Sequence, residues 1–157
     1  MKKALIIICA ILLSCGLFFI NLINSYEKAP TEIQVKTFYE SNKQMFEEIK
    51  SQMINLNVKS LSIYYEKGKI IASEYVLTND TLINDLTKYY KTSPIKHSDI
   101  FYEKNSDSVS IKFISTCNIG WKSWVEVGMM YHNPGKPSYG FYNTIENDWY
   151  YTFVGMT

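Results

Sequence analysis

The chain has no arginine; all 16 of its basic residues are lysines. A guanidinium grips phosphate or carboxylate through two parallel hydrogen bonds, which an ammonium point charge cannot reproduce. Lys2 and Lys3 stand at the extreme N-terminus, which leaves 14 lysines against 15 acidic residues in the rest of the chain. A near-neutral, arginine-free domain lacks the basic footprint that a nucleic-acid backbone requires, so nucleic acid is excluded as a partner. Histidine is nearly as scarce, with only His97 and His132. Neither stands at metal-ligand spacing from another histidine, cysteine or carboxylate, so no metal and no cofactor is expected. Cys9 and Cys15 fall in an N-terminal apolar run, and Cys117 is the sole thiol beyond it. Cys117 therefore has no intrachain disulfide partner there and reads as a small buried apolar residue. No G-x-S-x-G, P-loop or dinucleotide fingerprint occurs, and no repeat or low-complexity stretch. A Cys117–His132 pair is the one nucleophile–base combination left, since such partners meet in space rather than in sequence. Glu47 and Glu48 are adjacent on a helix and diverge, so they read as a solvated face.

What the chain does have is an apolar start. Residues 4–20 carry no charge, and the apolar character runs on through Leu22 and Ile23. About 20 such residues suffice to cross a bilayer as a helix, the only open structure that satisfies its own backbone there. Three readings stay open. The segment is an uncleaved signal anchor, with Lys2 and Lys3 holding the N-terminus inside. Alternatively, Leu12-Leu13-Ser14-Cys15-Gly16 is a lipobox and Cys15 the lipidated residue, although Gly16-Leu17-Phe18-Phe19-Ile20 is more apolar than the linker that usually follows. The third is a secretory signal cleaved near Gly16 or Ser25, where no A-x-A site is seen. Each reading makes residues 1–25 a targeting segment and 26–157 a single extracytoplasmic domain, and the first two hold that domain at the cell membrane. The connector from Asn24 to Thr31, with Pro30 in it, is too short for a flexible tether, so in the signal-anchor reading the domain sits close to the bilayer.

Periodicity divides that domain into elements. Residues 36–56 show one apolar stripe of Phe38, Met45, Phe46, Ile49, Met53 and Leu56, the pattern of a long helix. Ser41 with Gln44 offers a capping box, which would start the helix near Asn42 instead. Residues 60–66 alternate, Lys67-Gly68 turns, and 69–76 return as a second strand, with Gly68 supplying a positive φ. Thr78 or Asn79 caps a second helix whose buried face is Leu82, Ile83, Leu86, Tyr89 and Tyr90, and Pro94 ends it. Strands then follow over 100–103, 108–115, 124–132, 139–145 and 149–154, with Asn133-Pro134-Gly135-Lys136-Pro137 as a rigid loop. The order α-β-β-α-β-β-β-β-β, with short turns, predicts an α+β fold: one antiparallel sheet packed by one long and one shorter helix. Gly120, Gly128 and Gly140 offer bends at which that sheet could curve.

Trp121, Trp124, Tyr131, Tyr142 and Tyr150 lie in an aromatic C-terminal third that holds every tryptophan. Alternation sets Trp149, Tyr151 and Phe153 against Tyr150, so one set is core and the other faces outward or lines a rim. Large amphipathic rings are enriched at interaction surfaces and at membrane interfaces. The candidate partner-binding residues are therefore Trp121, Trp124, Tyr131, His132, Tyr142 and Tyr150. Tyr131-His132-Asn133-Pro134-Gly135-Lys136-Pro137, followed by Asn147-Asp148-Trp149-Tyr150-Tyr151, resembles the C-terminal part of small signal-bearing α+β bacterial proteins ending in a W-Y-Y strand. That resemblance implies a last hairpin and no activity. The expectation is a membrane-tethered, non-enzymatic domain with a protein partner, of the immunity or envelope-accessory kind. The rival expectation is an enzyme or small-ligand carrier with a pocket between the long helix and a curved sheet, where His132, Tyr131 or Glu126 would converge.

Overall fold

The computed structural model describes residues 29–156 except 74, 121, 122 and 139, and gives the backbone alone at 118–120, 123, 124, 155 and 156. The apolar N-terminal segment, with Cys15, and Trp121 lie outside the described residues. Among the described residues no helix is long and apolar enough to cross a membrane.

The first helix, α1 (Glu32–Ser41), starts earlier than the apolar stripe suggests. Thr31 caps it: its hydroxyl accepts from the Gln34 amide at 3.3 Å, and the Gln34 side-chain oxygen accepts from the Thr31 amide at 2.9 Å. The capping box thus sits ten residues before Ser41, the position the sequence suggested. The single long helix is also interrupted. Asn42 leaves helical geometry at φ −129° and ψ 22°, and α2 (Lys43–Ile54) follows it. The Asn42 side-chain amide donates to the Phe38 carbonyl at 3.0 Å, competing locally with the helix ladder. The stripe survives the break, since Val35 and Tyr39 of α1 and Met45, Phe46, Ile49 and Met53 of α2 are all buried.

Strands β1 (Ser60–Glu66) and β2 (Lys69–Ala72) form a hairpin. Both turn residues, Lys67 and Gly68, have positive φ, as a two-residue hairpin turn of right-handed strands requires. β2 stops at Ala72, well short of Val76. Helix α3 (Asp80–Thr92) is capped by Asn79, whose side-chain oxygen accepts from the Leu82 amide at 3.1 Å. Then come β3 (Asp99–Lys104), β4 (Val109–Gly120), β5 (Ser123–Asn133), β6 (Phe141–Glu146) and β7 (Trp149–Met156). The Asn133–Pro134 bond is cis.

All seven strands join one sheet in the order β2-β1-β3-β4-β5-β7-β6, and every neighbouring pair is antiparallel. The class is α+β, as the sequence implied. The helices pack on one face, because a single buried cluster unites their apolar stripes with Ile63, Ile100, Phe113, Met129, Trp149 and Tyr151 of the strands. Phe46 is the hub of that cluster. Its ring lies 5.4 Å from Phe113, 5.6 Å from Tyr39 and from Trp149, and 6.0 Å from Tyr89. Edge-to-face rings at such spacings add roughly 0.5–1.5 kcal/mol per pair beyond their buried area.

Candidate functional site

Strand alternation assigns each side chain to one of the two faces of the sheet. Register carries one row across the helix-covered face: Leu61, Tyr102, Ile111, Tyr131 and Trp149 are consecutive partners. The neighbouring row belongs to the opposite face: Ser62, Phe101, Lys112, Met130, Tyr150 and Thr144. Helices α1–α3 leave this second face free. Tyr64 and Phe101 are exposed on it, while Met130, Tyr150 and Thr152 are buried. Tyr142 packs edge-on against Tyr150 with centroids 6.4 Å apart. The face therefore offers an aromatic and aliphatic strip with Lys112, Ser110 and His132 beside it.

Gly128 explains how the middle of this face is built. It pairs with Ile114 and Thr152, and a Cβ there would sit 1.9 Å from the Phe113 carbonyl oxygen. Only glycine lets β4 and β5 approach so closely at that point.

The polar part of the face centres on His132. Its Nδ1 and the Ser110 hydroxyl are 3.1 Å apart. Burial and the nearby Lys112 ammonium together hold the imidazole below its usual pKa, against an opposing pull from Asp148. A neutral imidazole results, able to accept from Ser110. The Asp148 carboxylate, however, accepts from the Asn133 side-chain amide at 3.0 Å. Among the described residues no further side chain is hydrogen-bonded to the His132 ring as the orienting group of a nucleophile–base pair would be.

The sequence candidates separate on this framework. His132, Tyr142 and Tyr150 share the helix-free face, although Tyr150 is only 5% exposed. Tyr131 lies on the other face. It is buried, its ring is 5.5 Å from Trp149, and the Lys50 ammonium sits 5.1 Å above it. Trp124 holds a β5 position paired with Asn118 and Met156. A Cys117–His132 pair is ruled out by register. His132 pairs with Ser110, while Cys117 pairs with Val125 on the core face. Seven residues of β4 separate the two positions, about 24 Å at roughly 3.4 Å per residue.

Sequence reasoning missed Phe101, Tyr64, Ser110 and Lys112. Alternation marks Phe101 as opposite in face to Tyr102, but nothing local says which face the helices take. It also missed Phe141 and Phe153, paired across β6 and β7 on the helix-bearing face yet 81% and 39% exposed.

The space between α2 and the sheet, where a ligand pocket was the rival expectation, is filled by the rings around Phe46. Surface clefts lie elsewhere. One of about 620 Å³ is lined by 56–59 and 104–106, and one of about 550 Å³ by 64–66, Tyr90 and 96–99. Among the described residues no group of three or more His, Cys, Asp or Glu could hold a metal ion.

Glu47 shows how the opposite face handles charge. Its carboxylate accepts from the buried Trp149 indole N–H at 2.8 Å and pairs with Lys50. Burial pushes its pKa up, but the bonds from Lys50 and Trp149 outweigh that and hold it below the ordinary value.

Set against known proteins, the chain matches no family model, no curated protein and no solved structure.

Proposed function

We propose that the domain is tethered at the outer side of a membrane and binds a protein partner through the helix-free face of its sheet. The observation that supports this reading is the distribution of side chains on the two faces. One face is consumed by the three helices. The other presents Tyr64 on β1 and Phe101 on β3 to solvent, with Lys112 the β4 partner of Phe101, His132 on β5, and Tyr142 on the edge strand β6. Half-exposed aromatics flanked by polar groups match the anatomy of a protein-binding patch, where a few large rings carry most of the affinity. The charge-free N-terminal stretch supports the tether. The filled core favours a binding role over a carrier or an enzyme with an internal pocket. An immunity-type protein and an envelope-assembly accessory both fit this description.

The experiment is a comparative pull-down. The full chain and its Phe101→Ser/Tyr64→Ser variant are extracted from native membranes and their co-purifying proteins quantified. A partner retained by the parent and depleted at least about tenfold by the variant supports the reading, since losing a hot-spot ring costs 2 kcal/mol or more. Identical recovery with both chains, each folded by circular dichroism, refutes the assigned face.

A further inference from the structure

An open sheet has two edges, and these two are built differently. β2 is four residues long, opens on Lys69 and follows the exposed Lys67 of its turn. Brevity and lysines of that kind discourage a further strand. β6 is six residues long and holds neither lysine nor proline. Its one charged residue, Glu146, is paired with Lys43 of α2, and Phe141 at its start is exposed. The direction of its hydrogen-bonding groups follows from the register. The His132 amide donates to the Asp148 carbonyl at 2.9 Å. β5 and β7 stay in step from there, with Met130 opposite Tyr150 and Gly128 opposite Thr152. Along an antiparallel strand the N–H and C=O of successive residues point to opposite sides. The even-numbered residues of β7 thus bond to β5, while Tyr151 and Phe153 bond to β6, where they meet Asn143 and Phe141. Tyr142 and Thr144 are left turning their groups to the open edge. Among the described residues no backbone group pairs with them there. A bulge between Thr144 and Glu146 then bends the strand and ends the usable edge.

We propose that β6 pairs edge to edge with β6 of a second copy of this chain, antiparallel and centred on Asn143. The register chooses the occupant, because two outward residues set two apart are self-complementary. With Asn143 opposite Asn143, Tyr142 meets Thr144 of the copy and Thr144 meets its Tyr142. Every outward N–H and C=O between Tyr142 and Thr144 then has a partner. Centring on Tyr142 instead would set Thr144 against Gly140, whose φ of 107° lies outside strand geometry. Centring on Thr144 would set Tyr142 against Glu146, beyond the bulge. The helix-bearing face agrees with the same two-fold axis. Glu32 accepts from the Asn143 side-chain amide at 2.7 Å, and α1 runs from there towards Trp149, whose ring lies 5.4 Å from Tyr39. α1 therefore leads away from Phe141, and the α1 of the copy, reversed by the axis, comes beside it. Glu32 stands near the axis, but Lys36 at 2.8 Å matches its charge within its own copy. The pairing joins two seven-stranded sheets with their helix-free faces on one side. It needs neither the tether nor the partner proposed above.

Disulfide trapping of the full chain tests the pairing. Asn143→Cys, Phe141→Cys or Lys69→Cys is introduced singly with the native cysteines kept. The detergent-extracted protein is oxidised with copper–phenanthroline, and its disulfides are mapped by mass spectrometry. In the proposed register the Cα atoms of the two 143 positions lie about 4.5 Å apart, within disulfide reach. The two 141 positions are offset by about 14 Å along the strands, out of reach. Expected is a 143-to-143 disulfide and none joining 141 to 141 or 69 to 69. Adding Thr144→Pro to Asn143→Cys removes an outward N–H from each copy and spares the β6–β7 bonds. It should lower the yield at least about tenfold in a chain still folded by circular dichroism. If that variant does not fold, the trapping pattern decides by itself. Sedimentation of the unaltered chain should show a species of twice the monomer mass that grows with concentration. No 143-to-143 disulfide, equal yields at 141, a yield indifferent to Thr144→Pro in a folded chain, or a monomer at every concentration overturns the pairing. A disulfide from 143 to Cys9 or Cys15, or to another protein, overturns it as well, because a different occupant then holds the edge.

Discussion

The two faces of this sheet are made from similar residues and put to different uses. Both carry tyrosine, methionine and aliphatic side chains, and both place charge near aromatics. On the helix-covered face, Phe46 touches Tyr39, Tyr89, Phe113 and Trp149, and the Glu47 carboxylate is bonded to Trp149 and Lys50. On the helix-free face, Met130 and Tyr150 are buried, while Phe101, in the same row on β3, remains 42% exposed. The difference teaches that aromatic content alone does not distinguish core from interface. What distinguishes them is whether a second layer exists to take the rings, and the helices supply it on one side only.

This contrast can be broken most forcefully at Phe46. Phe46→Ala should cost about 3–5 kcal/mol in chemical denaturation, because it removes the hub and leaves a cavity the surrounding rings cannot close. Gly128→Ala comes next, at about 3 kcal/mol, since the new methyl would overlap the Phe113 carbonyl and push β4 from β5. Glu47→Leu should cost about 1–3 kcal/mol by leaving the buried Trp149 N–H without its acceptor. It should also flatten the acid limb of stability. A carboxylate with a depressed folded pKa contributes above its unfolded value and loses that contribution as pH falls through the folded one. A pH series of urea midpoints for parent and variant, taken from neutrality to below the ordinary glutamate value of 4.5, reads this directly.

The helix-free face gives smaller effects of a different kind. His132 has a lowered folded pKa, so the unfolded chain binds the proton more readily and stability falls as pH drops below the ordinary histidine value of 6.5. In His132→Gln that loss should vanish between neutrality and the glutamate range, with little change at neutral pH. Phe101→Ser should be the mildest, about 1 kcal/mol or less by denaturation, while abolishing partner recovery. A large loss of stability at Phe101 would instead make this face structural.

Much of the fold could be read locally. The Lys67-Gly68 turn, the Asn79 cap and the stripe through Phe46, Ile49 and Met53 each depend on a few neighbouring residues, and the structure keeps them all. A helix start near Asn42 is one of the two sequence expectations and is seen in α2, but the sequence does not separate the preceding helix α1 from it because the stripe continues in phase on both sides of Asn42. Of the candidate site residues, His132, Tyr142 and Tyr150 share the helix-free face and Tyr131 does not. Adjacent residues on a strand must part company, so Tyr131 and His132 could not both belong to one surface.

The sequence by itself determined the element types, the antiparallel single sheet, the lack of arginine and the apolar N-terminal stretch. These follow from short-range periodicity and composition, which the chain carries in every window. Tertiary structure alone decided that β1 lies beside β3, that all three helices take the same face, and that Phe101, Phe141 and Phe153 stay exposed while Tyr131 and Trp149 are buried. Each of those outcomes depends on partners far apart in the chain, and no local pattern records which side of a strand will meet a helix.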